Sequence, residues 1–284
     1  MTRQRTLKRA VSLQGVGIHS GTQARLTLEP APENFGRRFR INGVSIPAQV
    51  EYVIDTSRCT TLGFEGAKVS TVEHLLSALY ATEVDNALLI LEGIEIPILD
   101  GSALPFMEAI GEAGIEEQSA LAPTLSLKEE VVVQDKSATA CAKPDVTYSV
   151  TATTEFDAWS EGAASCTFQE GTTDYLAQVA PARTFAFDFE VRQLLAAGLA
   201  QGGSLENALI ITPPNEFSTP LRIEQEWCWH KVLDIMGDLA LLDARLKMSL
   251  SAIRTGHRLN VHLAQAILAQ TGRTSISNEA RRLC

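Results

Sequence analysis

The sequence predicts an α+β protein made of two similar sheet-plus-helix domains, the second carrying a β-α-β insertion. Three observations predict it. Strand-like alternation gives way to helical periodicity within residues 1–118, and the same order recurs within 119–284. At about 183–212 an apolar run, an amphipathic run and a second apolar run interrupt the second copy. A length of 284 residues exceeds the usual size of one domain, which favours two cores.

In the first half, ARLTLEP, RRFRI and VEYVID read as strands separated by Pro, Gly and Asn turns. STVEHLLSALYA then switches to helical spacing, with Val72, Leu75, Leu76, Leu79 and Tyr80 on one apolar stripe. NALLILEG is a continuous apolar strand. DGSALPFMEAIGEAGI reads as a turn, a Ser102 cap and a helix. EEQSALAPT is a polar link without periodicity.

The second half follows the same plan. LSLKEEVVVQD and VTYSVTATTEF alternate like strands. RTFAF, FEVRQLLAAGL, Gly202-Gly203 and ALIIT form the expected insertion. IEQEWCWHKVLDIMGDLALLDA reads as one long helix, MSLSAIRT as a strand and HRLNVHLAQAILAQT as the last helix.

Composition narrows the function. A formal charge of -10 argues against a broad electrostatic grip on nucleic acid and leaves a small ligand as the expected partner. The five cysteines, Cys59, Cys141, Cys166, Cys228 and Cys284, contain no C-x-x-C, which suits reduced thiols and gives no thiolate zinc site. AVSLQGVG is too short and polar for a signal-peptide core, and Glu92 and Glu95 interrupt the most apolar stretch, so no transmembrane segment and a cytoplasmic location are expected.

Metal chemistry is the first functional expectation. His230 and Asp234 stand four apart on the long helix, a spacing that stacks two ligands on one face. Lys231 and Asp238 share their sector, which otherwise reads as a solvated polar face; Trp227 and Trp229 on the same turn argue that it is partly covered. Ser70-Thr71-Val72-Glu73 fits a capping box, in which Glu73 reaches back to the Ser70 N–H. His74 points away from the apolar stripe, either to solvent or toward a second domain, where it would meet His230 and Asp234. His257 opens the last helix, where a positive imidazole needs a carboxylate, and Asp238 is the candidate. His19 in GVGIHSG and His262 read as structural. Arg183-Thr184-Phe185 and Asp100-Gly101-Ser102 separately read as a strand end and a turn.

GVGIHSG, STVEHLLSAL, EIPILDGSALPF, ARTFAF, GLAQGGS, HKVLDIMGDL and RTGHRLN occur in this order over nearly the whole chain. Together they closely resemble the UDP-3-O-acyl-N-acetylglucosamine deacetylase family, zinc-dependent amidases at the committed step of lipid A biosynthesis. The resemblance implies an active site between two helical layers and a UDP-linked acylated amino sugar as partner. It implies Zn2+ on His74, His230 and Asp234, with Fe2+ acceptable to the same N/O donors. It implies Glu73 as general base, His257 as cationic partner oriented by Asp238, Thr184 at the oxyanion, and Lys231 near phosphate. The acyl chain is expected against Phe185, Val191, Leu194, Leu195, Leu199, Ala200 and Ser204, and the nucleotide near Glu155, Phe156 and Arg254.

Some positions depart from the family pattern. Asp157-Ala158-Trp159 stands where many relatives have Asn-His-Pro, Ala138 stands at a frequent lysine, with Lys136 nearby, and Ser57-Arg58 replaces an apolar pair. A monomer is expected. A zinc amidase for a different N-acyl sugar nucleotide would keep the metal centre without the apolar sleeve, and an idle nucleotide-sugar binding module would need neither metal nor base.

Overall fold

Alternation buries Ala24, Leu26 and Leu28 on one face of the strand Gln23–Pro30, while Arg25 and Thr27 face outward. In the computed structural model, which describes residues 2–272, that strand joins a five-stranded sheet. Its order is Val11–Val16, Gln23–Pro30, Ala87–Glu92, Arg37–Ile41, Val44–Pro47. The strand latest in sequence, Ala87–Glu92, runs in the middle, antiparallel to Gln23–Pro30 and parallel to Arg37–Ile41.

The second half repeats this topology. Val131–Asp135, Ala138–Pro144, Arg245–Ile253, Ser149–Phe156 and Trp159–Gln169 lie in the same order, and Arg245–Ile253 is again central, antiparallel on one side and parallel on the other. Helix α1 (Glu73–Ala81) precedes the central strand of the first sheet and α2 (Leu104–Ala113) follows it. After the short α3 (Tyr175–Gln178) and α4 (Asp188–Ala196), α5 (Glu226–Leu239) and α6 (His257–Thr271) bracket the central strand of the second sheet likewise.

The helical layers face each other. Helix α1 packs on α5, and α5 packs on α6 and on the strand Ser149–Phe156. Leu75, Leu76 and Leu79 of α1 share one core with Val232, Leu233 and Met236 of α5. Close approach of α1 and α5 depends on Gly237, because a Cβ there would overlap the Glu73 carbonyl oxygen. One glycine therefore lets the two halves meet at the level of Glu73 and His74.

The insertion forms the expected β-α-β unit: Phe185–Phe187 pairs in parallel with Leu209–Thr212, α4 lies between them, and Glu216–Phe217 adds a third strand. Other segments differ from expectation. The polar link is ordered, since Ile115–Leu121 pairs with Arg3–Leu7 and Thr124–Ser126 with Arg245–Ile253. Backbone pairing does not require apolar alternation, so that strand was silent in the sequence. The position between 118 and 119 lies inside it. VEYVID is a 3-10 turn at Val50–Tyr52 followed by the short strand Val53–Asp55. The long helix begins only at Glu226, because Gln225 takes a left-handed φ of 55°, and it ends at Leu239 in a 3-10 turn. Ser102 lies one residue outside the cap of α2, and its Oγ still accepts from Leu104 N at 3.2 Å.

Among the described residues Cys59, Cys141, Cys166 and Cys228 are free thiols, whereas Cys284 lies outside the described residues. No helix among the described residues is long and apolar enough to cross a membrane.

Candidate active site

Glu73 and His74 open α1, four polar residues line one side of α5, and His257 is the first residue of α6. The capping box does not form. The Ser70 N–H donates to Ile94 O at 3.2 Å, and the Glu73 carboxylate turns inward to accept from Thr60 N at 3.0 Å. Two neighbouring loops compete for the groups that a local cap would use, and they win.

His74, His230 and Asp234 come together with their ligand atoms all within 4.8 Å of one another. His230 Nε2 lies 3.4 Å from Asp234 Oδ1, and His74 Nε2 lies 4.0 Å from the same oxygen. Tetrahedral bonds of about 2.0–2.2 Å place ligand atoms roughly 3.3–3.6 Å apart, so the cluster is close to metal-binding size. Asp234 Oδ1 and His74 Nδ1 are buried without a hydrogen-bond partner, and a buried carboxylate oxygen aimed at two imidazoles is costly unless something positive sits there. His230 Nδ1 meets the Ala182 carbonyl at 3.0 Å; with the proton on Nδ1, Nε2 presents its lone pair to the cluster.

Protonation matches that reading. Burial and the neighbouring His230 push His74 down to about 3, and burial lowers His230 as well. Burial alone would raise Asp234, but His230 and Lys231 hold it below the usual carboxylate range. Neutral imidazoles and an ionised carboxylate are what a divalent metal takes.

Beside the cluster, Glu73 is raised to about 7 by burial, opposed by His257 and reinforced by Asp238 and Asp234. Burial works against a charged His257, yet Asp238 and Glu73 raise it to about 10. His257 Nδ1 contacts Asp238 Oδ2 at 2.9 Å, which leaves Nε2 facing Glu73 Oε1 at 3.9 Å. Asp238 is fully buried and also accepts from Thr60 Oγ1 at 2.6 Å and Asn260 Nδ2 at 2.9 Å.

Glu73, His74, His230, Lys231, Asp234 and His257 border a cavity of about 650 Å³, whereas Asp238, Thr60, Asn260 and Ala182 stand behind its wall. Its apolar arm includes Phe185, Val191, Leu194, Leu195, Ala200 and Ser204; Leu199 is not in the wall. Thr184 lines the cavity, its N–H donating to Gly101 O at 2.8 Å and its carbonyl accepting from Leu209 N at 2.9 Å. The Asp100-Gly101-Ser102 turn thus fixes the position of Thr184. Arg183 is buried in a forked pair with Glu226, at 2.6 and 2.9 Å, which pins the segment carrying the Ala182 carbonyl.

The remaining expected residues lie differently. Lys231 Nζ is 2.8 Å from Asp234 Oδ2 and sits over the Phe185 ring. Arg254 lines the cavity, with its guanidinium donating to Glu155 at 3.0 Å and Asp157 at 2.7 Å. Glu155 and Phe156 stand outside the cavity wall. The Phe156 ring packs with Trp159, Phe185 and Phe187.

Sequence reasoning missed Thr60, Asn260, the Ala182 carbonyl, and His19 and Arg258 in the wall. Asn260 follows His257 at i+3, a spacing that pointed to it. Thr60 and Ala182 act through contacts distant in sequence and had no such signal.

The profile of the UDP-3-O-acyl N-acetylglycosamine deacetylase family matches residues 4–269. Curated proteins of that activity align along almost their whole length. The Nautilia profundicola UDP-3-O-acyl-N-acetylglucosamine deacetylase is 41% identical over 270 residues, 94% of this chain and 92% of that one. The proteins of the same name from Chromohalobacter salexigens and Aquifex aeolicus are 42% and 39% identical, over 95% and 93% of this chain and 91% and 92% of their own.

Proposed function

The chain belongs to the UDP-3-O-acyl N-acetylglycosamine deacetylase family, and from that membership we propose that it hydrolyses the N-acetyl group of UDP-3-O-acyl-N-acetylglucosamine. The products are acetate and the free amino sugar, the committed step of lipid A biosynthesis. The observation that carries this reading is one cavity in which a His-His-Asp cluster, a buried carboxylate at about 7 and a buried imidazole at about 10 adjoin an apolar arm.

His74, His230 and Asp234 are the residues that would hold a divalent metal, Zn2+ in this reading, with Fe2+ compatible with the same donors. When bound, such an ion supplies Lewis-acid polarisation of the acetamide carbonyl and lowers the pKa of water toward about 7. Glu73 Oε1 takes a proton from the attacking water. Thr184 Oγ donates to the carbonyl oxygen as negative charge develops there. His257 Nε2 adds positive charge and passes its proton to the leaving nitrogen as the C–N bond breaks. Asp238, holding Nδ1, keeps the ring aimed and charged.

The acyl chain occupies the arm formed by Phe185, Val191, Leu194, Ala200 and Ser204, where burial of apolar surface provides affinity. The diphosphate lies toward Arg254 and Lys231, each exchanging a carboxylate partner for phosphate, with Glu155 and Phe156 toward the uridine. We place the enzyme in the cytoplasm as a monomer and its domain division near residue 118.

The test is acetate release by the purified protein across an acyl-length series, with chelation and metal add-back. Rates that rise with acylation support the reading. Equal rates on acylated and non-acylated UDP-N-acetylglucosamine would assign a different amidase, and metal-independent binding without acetate release would leave a binding module.

A further inference from the structure

Two carboxylates at the centre of the site come from opposite halves of the chain, and one residue holds both. Thr60 is fully buried in the loop before the strand Thr61–Phe64. Its backbone N–H donates to Glu73 Oε2 at 3.0 Å, and its hydroxyl donates to Asp238 Oδ1 at 2.6 Å. Its carbonyl in turn accepts from Val72 N at 3.4 Å, at the N-terminus of α1. The residue is thereby fixed to the helix that carries Glu73 while its side chain reaches the helix that carries Asp238.

The division of oxygens matters. With Oε2 engaged, Glu73 has Oε1 free to face His257. Asp238 Oδ2 accepts from His257 and Asn260, whereas Oδ1 has Thr60 as its donor. A hydroxyl donating to a buried carboxylate at this distance is a charge-assisted bond, among the stronger ones a protein makes. Without it the Asp238 carboxylate would keep a desolvated oxygen and rotate to recover a donor, carrying the His257 ring with it.

We propose that Thr60 is a positioning residue that couples base to acid: it fixes the Glu73 and Asp238 carboxylates relative to each other and so aims His257 at the reacting atoms. The inference rests on the deacetylase reading above. The hydrogen bonds of Thr60 go to Glu73, Asp238 and Val72 rather than to His74, His230 or Asp234, and Thr60 is not in the cavity wall, so it contributes through the two carboxylates it binds.

The experiment compares Thr60→Val, which keeps shape and the backbone N–H but loses the hydroxyl, with Thr60→Ser, which restores it. Thr60→Ala accompanies them, so that a folding failure of the valine variant leaves the comparison intact. Thr60→Val and Thr60→Ala are expected to lower kcat by about 10- to 100-fold with KM within about twofold, and Thr60→Ser to stay within about threefold of the parent. In the metal-free protein the His257 Nδ1–H proton resonance should move in Thr60→Val and Thr60→Ala and hold in Thr60→Ser. A wild-type kcat in Thr60→Val or Thr60→Ala, an equal loss in Thr60→Ser, or an unmoved resonance overturns the coupling. Absence of acetate release from the parent protein would instead defeat the reading of the function.

Discussion

His257 Nδ1 stands 2.9 Å from Asp238 Oδ2, and that contact turns the other ring nitrogen toward Glu73. In the proposed mechanism Glu73 is the base and His257 the acid, and Asp238 holds the acid's ring toward the base. The pH dependence follows from this arrangement. Activity should rise as Glu73 loses its proton around 7 and fall as His257 loses its own around 10. A divalent cation beside them favours the deprotonated form of each, so both limbs should lie at or below those values in the loaded enzyme. In His257→Gln the alkaline limb of kcat/KM should vanish and turnover should drop by about 10²–10⁴; a limb that persists assigns it to another group.

Glu73→Gln should lower turnover by about 10²–10⁴ with bound metal unchanged. The same change should stabilise the metal-free protein. A carboxyl raised from 4.5 to about 7 in the fold binds its proton more tightly there. Its charged form therefore costs stability above pH 7, and the cost disappears as pH falls below about 4.5. Melting curves should show the glutamine variant a few degrees higher at pH 8 and equal to the parent at pH 4.5. Full activity in this variant would remove Glu73 from the mechanism.

Chelation should abolish acetate release, and added Zn2+ should restore it. Binding to the folded state alone also raises the melting temperature, by an amount equivalent to about 4 kcal/mol when free metal is a thousandfold above Kd. His74→Ala and Asp234→Ala should each lose this shift and the metal measured by elemental analysis. A variant that keeps stoichiometric metal is not missing a ligand.

Leu194→Glu places a charge in the apolar arm. KM for long-chain substrate should rise by about tenfold or more, while turnover of non-acylated substrate should stay near that of the parent. A parallel loss on both substrates would show that the arm supports the site rather than the chain.

Gly237→Ala tests how closely α1 and α5 must approach. The added methyl meets the Glu73 carbonyl, and overpacking of this kind costs about 1–3 kcal/mol. The melting temperature should fall by a few degrees. Turnover should fall further than that destabilisation explains, because Glu73 and His74 move away from His230.

Much of this protein is determined by its sequence alone. Helical spacing located α1, α5 and α6, and their repeated order predicted two halves that prove to share one strand order. His230 and Asp234 could be paired from spacing because both lie on one helix, and the ordered motifs identified the family. Tertiary structure decided the rest. Whether Glu73 caps its own helix or faces His257 depends on Thr60 and Ile94, which reach the start of α1 from two other loops. That His74 joins the cluster depends on a glycine in the other half, and that Phe156 packs against Phe185 and Phe187 depends on where the insertion folds. Periodicity records which face of an element is apolar. It carries no information on which distant donor reaches a buried carboxylate, and in this site those donors set the orientation and charge of the groups that would react.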